Sequence, residues 1–144
     1  MNEAKRRQNL EALAIGETAR FRKTVSESDV YAFAGITGDM YGVHVDEEFA
    51  RTTRFGGRIA HGAMAVGFLS TVVGQIAARV PPPGAVSYRY DLTFTAPIRF
   101  GDTIQAEVRV SRKDPERNEI ILDARCSNQR DETVVKGTLI LKVI

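Results

Sequence analysis

From Ile59 to Ala78 the chain carries no Asp, Glu, Lys or Arg, and Pro81-Pro82-Pro83-Gly84 follows at once. A charge-free run of that length matches a membrane-spanning helix. Its content does not, because His61, Ser70, Thr71, Gln75 and several Gly and Ala dilute the Leu, Ile and Phe that insertion rewards. The reading that remains is a helix from Gly62 to about Arg79, on the order of 26 Å long at 1.5 Å per residue, apolar nearly all round and stopped by the prolines. Such a helix is stable in water only if something wraps it.

The wrapping material follows directly. In "VSYRYDLTF", Val86, Tyr88, Tyr90, Leu92 and Phe94 alternate with Ser87, Arg89, Asp91 and Thr93, the period of a half-buried strand. "TIQAEVRV", "EIILDARCS" and "TVVKGTLILKVI" repeat the pattern after short turns. Four strands joined by short loops predict an antiparallel sheet that curls around the helix. This is the α+β arrangement called the hot-dog fold, expected here as one domain over residues 1–144 with 1–15 as an N-terminal extension. Its other sheet face and its edges commonly meet a second copy, which predicts a homodimer or an oligomer of dimers.

Upstream, "ARFRKTV" at 19–25 reads as a short strand, and Ser26 with Asp29 three residues on reads as a capping box opening a helix that ends near Gly35 or Gly38. A loop follows, then a short helix capped by Asp46 and closed by Gly56-Gly57. The formal charge of +2 comes from twenty basic against eighteen acidic side chains, without the basic stripe that nucleic acid needs. The run Lys5-Arg6-Arg7 reads as a solvated face of the extension. A single cysteine, Cys126, has neither a disulfide partner nor a CxxC mate, and no apolar leader opens the chain, so the expectation is a cytoplasmic protein.

Only His44 and His61 have an unperturbed pKa near neutrality. In "ITGDMYGVHVDEE", His44 lies five residues after Asp39; in "RIAHGAM", Gly62 stands where the long helix begins, so that its N–H is an unsatisfied donor at a positive helix end, open to close approach by a ligand. A base, a carboxylate and an oxyanion donor suffice to add a nucleophile to a polarised carbonyl compound or to reverse that addition. Each has a plainer reading: Asp39 after Gly38 as a turn residue, His61 as a capping or core histidine, Ser70 bonded back to its own helix. A metal site built on Asp39, His44 and Asp46 lacks the spacing of a known motif, so no metal is expected.

These segments carry a resemblance. "FAGITGDMYGVHVDEEFA" followed by "RFGGRIAHGAMAVGFLS" resembles the hydratase motif of MaoC-like, R-specific enoyl-CoA hydratases, roughly FAxxSGDxNPxHxDxxxA and then IxHGM. The likeness continues through "PIRFGDTIQAEVRV" and covers the chain from about residue 15 onward. It implies hydration of a trans-2-enoyl thioester to an R-3-hydroxyacyl product, or the reverse, on an acyl-CoA or acyl carrier protein substrate, with no further cofactor. It also implies that Asp39 and His44 hold and activate the water, that Gly62 N–H receives the thioester oxygen, and that Ser70 is a polar residue near the site. Where that family has Asn-Pro, this chain has Tyr41-Gly42; Tyr41 is then a candidate to reshape the acyl pocket or to supply a hydrogen bond. Two alternatives stay open: a hot-dog thioesterase and a noncatalytic thioester-binding subunit.

Overall fold

A computed structural model describes residues 3–144. The charge-free run is α5 (Gly62–Ala77), whose Met64, Ala65, Leu69, Val72, Val73 and Ile76 are buried. It lies against an antiparallel five-stranded sheet of β1 (Thr18–Thr24), β2 (Ala85–Phe94), β3 (Thr103–Asp114), β4 (Glu119–Ser127) and β5 (Thr133–Val143). Alternate residues of β3, Ile104, Ala106, Val108 and Val110, face the helix, joined by Ile120, Leu122, Leu139 and Leu141 from β4 and β5. The hot-dog arrangement is therefore present. No helix of the described residues is long and apolar enough to cross a membrane.

Strand order is β1-β3-β4-β5-β2. β3, β4 and β5 are hairpin neighbours, but β2 pairs with β5 and not with the β3 that follows it. Residues 95–102 therefore cross from one side of the sheet to the other, and on the way Ala60 N–H donates to Ile98 C=O at 2.8 Å. This crossing brings residues 95–98 beside the start of α5.

One expectation needs correction. The alternation through β2 is broken by a bulge at Tyr88, between the pairs Ser87–Leu141 and Arg89–Ile140. Ala85, Tyr90 and Leu92 pack on the core while Val86 and Tyr88 are exposed. The outer sheet face carries Arg22, Gln105, Glu107, Arg109, Asp123 and Arg125 in cross-strand register beside the Ile121–Ile140 pair, and the β2 edge exposes Val86, Tyr88 and Phe94. The N-terminal extension contains a helix, α1 (Glu3–Glu11), whose Leu10 is buried and whose Asn9 side-chain amide donates to Pro81 C=O at 2.8 Å; Lys5, Arg6 and Arg7 are exposed.

Candidate active site

The predicted capping box is formed: Asp29 N–H donates to Ser26 Oγ, and Ser26 N–H donates to the Asp29 carboxylate. It opens α2 (Glu27–Thr37), which ends at Gly38 with φ 81°, a left-handed conformation that glycine adopts without strain. Asp39 follows that turn, its side chain 51% exposed, and its Oδ1 accepts from Tyr41 N–H at 3.2 Å. The plain turn reading of Asp39 is thus present, and its other carboxylate oxygen comes within 4.0 Å of His61 Nε2.

The segment expected as a loop holds a one-turn helix, α3 (Gly42–Val45). Gly42 is its first residue, the position where proline is otherwise favoured. A Cβ on Gly42 would stand 2.7 Å from Phe49 Cδ1, and the Phe49 ring meets Tyr41 edge-on at 5.6 Å. The replacement of Asn-Pro by Tyr-Gly is thus a packed arrangement: Phe49, on α4 (Glu47–Arg51), fills the face that a proline ring would otherwise cover. Tyr41 is 60% exposed and sits edge-on to His44 at 6.3 Å.

His44 is buried in α3, with Nδ1 2.8 Å from Ile59 C=O. A carbonyl only accepts, so Nδ1 carries the proton and Nε2 keeps the lone pair of a base. His61 Nε2 lies 2.9 Å from the backbone carbonyl of Asp39 and 4.0 Å from its Oδ2. The two imidazoles stack with centroids 3.8 Å apart and planes 26° from parallel. One ligand-type atom from each of Asp39, His44 and His61 falls within 4.8 Å of the others. Ring lone pairs lie in the ring planes, so stacked rings cannot both direct a lone pair at one ion between them; the cluster suits proton handling better than metal binding.

Gly62 opens α5 and lines a cleft of about 210 Å³ together with His44, Ala60, Phe94, Thr95 and Pro97. A Cβ on Gly62 would stand 2.9 Å from Phe94 Cδ1, so a larger residue there would have to displace that half-exposed ring. The far wall comes from the crossing connection and was not foreseen, because it depends on strand order. Ser70, eight residues further along α5 and about 12 Å on at 1.5 Å per residue, is exposed and is not among the residues lining the cleft.

The segment carrying these groups is strapped by Arg58, half-buried between Glu27 Oε1 at 2.6 Å and Glu47 Oε2 at 3.0 Å, with Tyr31 Oη at 2.5 Å from its Nη1. Hydrogen bonds from Arg58 hold the Glu27 and Glu47 carboxyls below the ordinary glutamate range, and those to Glu27 and Glu47 raise the guanidinium in turn. α2, α4 and the approach to α5 are joined at one cation.

Fold and site together define a hot-dog protein in which a buried imidazole and a helix start line one cleft, with a carboxylate within 4.8 Å of that imidazole. Residues 11–130 match the model of the MaoC-like domain, and the chain belongs to that family. It is 44% identical to a 3-hydroxybutyryl-CoA dehydratase of Methylorubrum extorquens over 92% of this chain and 82% of the relative. Against an (R)-specific enoyl-CoA hydratase of Rhodospirillum rubrum it is 43% identical, over 81% of this chain and 79% of that protein. The solved structure of an (R)-hydratase from Aeromonas caviae superposes with a TM-score of 0.81 at 30% identity, covering 92% of this chain and 98% of that one.

Proposed function

We propose that this protein adds water across the double bond of trans-2-enoyl-CoA to give R-3-hydroxyacyl-CoA, and catalyses the reverse dehydration. The observation that carries this is the convergence of Asp39, His44 and the start of α5, with His44 oriented by Ile59 so that Nε2 is its proton acceptor. The names of the two relatives above 40% identity support the same chemistry.

The groups divide the reaction naturally. A thioester oxygen beside Gly62 N–H has its developing negative charge held by a donor that does not need to reorganise. Water held between Asp39 and His44 loses a proton as its oxygen bonds to C3, and a proton reaches C2 to collapse the enolate to the thioester. The step as written draws only on water, the thioester and this chain's own groups. Tyr41, edge-on to His44, remains a substrate-side candidate, whereas Ser70 lies outside the cleft. Acyl carrier protein can replace CoA as the carrier, and the reading places the reaction in the cytoplasm. A second copy pairing along β2 would cover the half-exposed Phe94 at the cleft and make a homodimer, alone or as the unit of a larger assembly.

Incubation with crotonyl-CoA tests the proposal. Loss of enoyl absorbance without release of free thiol is expected. Released thiol would mean a thioesterase, and neither signal a noncatalytic thioester-binding subunit; either overturns the reading.

A further inference from the structure

We infer that His61 is a positioning residue, whose Nε2–H bond to the Asp39 backbone carbonyl sets the carboxylate against His44. The inference rests on the hydratase reading for its activity readout and on geometry for everything else.

His61 invites a plainer explanation as a helix cap, since it occupies the residue before α5, but its side chain makes no capping bond; the backbone carbonyl serves that end, accepting from Met64 N–H at 3.0 Å. Nor does it have the shape of an ordinary core residue. It is 1% exposed, and its Nδ1 is buried with no partner among the described residues. A phenylalanine would pack against Phe33 (ring centroids 4.8 Å apart) and His44 without that orphaned nitrogen. What a phenylalanine could not do is donate to Asp39 C=O at 2.9 Å.

That bond falls where the loop needs it. Asp39 is otherwise held by contacts within its own turn, Asp39 N–H to Thr37 Oγ1 and Tyr41 N–H to Asp39 Oδ1, both 3.2 Å. These shape the turn without fixing it to anything else. His44, by contrast, is tied across to Ile59, and Ile59 N–H donates back to Val43 C=O at 3.1 Å. His61 supplies the matching tie for Asp39 and lays its ring on His44, from the residue next to Gly62. One side chain thus sets the carboxylate, the base and the helix start in a common frame. An error of about 1 Å in such a frame costs on the order of a hundredfold in rate.

The test compares His61→Phe, which keeps the ring and loses the donor, with His61→Gln, whose amide nitrogen reaches where Nε2 does. His61→Leu serves as a second donor-free variant should the phenylalanine variant fail to fold. For crotonyl-CoA, kcat is expected to fall by about tenfold to a hundredfold in the donor-free variants with KM changed by less than about threefold, and glutamine should restore most of the loss. Hydrogen exchange across residues 39–44 should quicken in the donor-free variants and not in His61→Gln. A folded donor-free variant with kcat within about twofold of wild type, a glutamine variant as slow as the others, or unchanged exchange would overturn the inference. If the wild type fails to hydrate crotonyl-CoA, the activity reading falls while the exchange comparison still decides the positioning role.

Discussion

Two regions meet at the start of α5 and are held by different forces. Behind it, the helix and sheet bury Leu69, Ile76, Ile104, Leu122 and Leu139 almost completely, and the stability of the fold resides there. Before it, residues 27–61 are short helices and turns tied by polar contacts: the Ser26–Asp29 capping box, the Arg58 strap, and the two histidines on backbone carbonyls. All the candidate chemistry except the Gly62 amide lies in the polar region. Rigidity for the site is thus supplied by directional bonds that set distances, while the apolar core only has to supply a firm base. The regions should be separable by experiment.

The largest effect belongs to the polar side. His44→Ala and Asp39→Ala should each lower crotonyl-CoA hydration by at least about a hundredfold, the low end for a positioned acid or base, and the half-exposed Asp39 should do so with almost no change in melting temperature. Leu69→Ala should give the mirror image: a loss of about 2–5 kcal/mol in denaturant unfolding with kcat per folded molecule retained. Were Leu69→Ala to remove activity before stability, the two regions would not be separable in this way. Gly42→Ala should cost about 1 kcal/mol, the low end for overpacking because the Phe49 ring can swing toward solvent, and should be relieved by Phe49→Ala in the double variant.

pH offers a gentler probe. Glu27 and Glu47 have carboxyls held below their ordinary value of 4.5 by Arg58, so their contribution is complete above that value and is lost as pH falls through the lower folded-state values. Amide protection in α2 and α4, taken relative to the intrinsic exchange rate at each pH, should therefore fall below about pH 4.5 before that of β3 and β4 does. The smallest effect lies at Cys126, whose thiol is pushed up to about 12 by burial and should resist thiol reagents until the sheet unfolds.

Much of this was open to inspection in the chain itself. The charge-free run gave α5, and period-two alternation gave β3, β4 and β5, because each pattern reports a local choice of which side meets the core. Asp39, His44 and Gly62 could be singled out since few residue types do their chemistry. The parts that stayed hidden depend on partners remote in sequence. That β2 joins β5 is a property of the whole sheet, and with it goes the wall of Thr95 to Ile98. The bulge at Tyr88 reverses a face within an otherwise regular alternation. α3 is too short for any periodicity to show. His61 was in view as one of only two histidines, beside Gly62, yet its bond to Asp39 spans 22 residues, which no spacing rule anticipates.

The most direct measurement follows crotonyl-CoA in heavy water with wild type and His44→Gln side by side, analysing the product by mass spectrometry and chiral separation. The wild type should yield R-3-hydroxybutyryl-CoA with one deuterium at C2, at a rate at least about a hundredfold above that of the variant. Product of the S configuration, free CoA in place of the hydroxyacyl thioester, or equal rates for the two proteins would contradict a site built on Asp39 and His44.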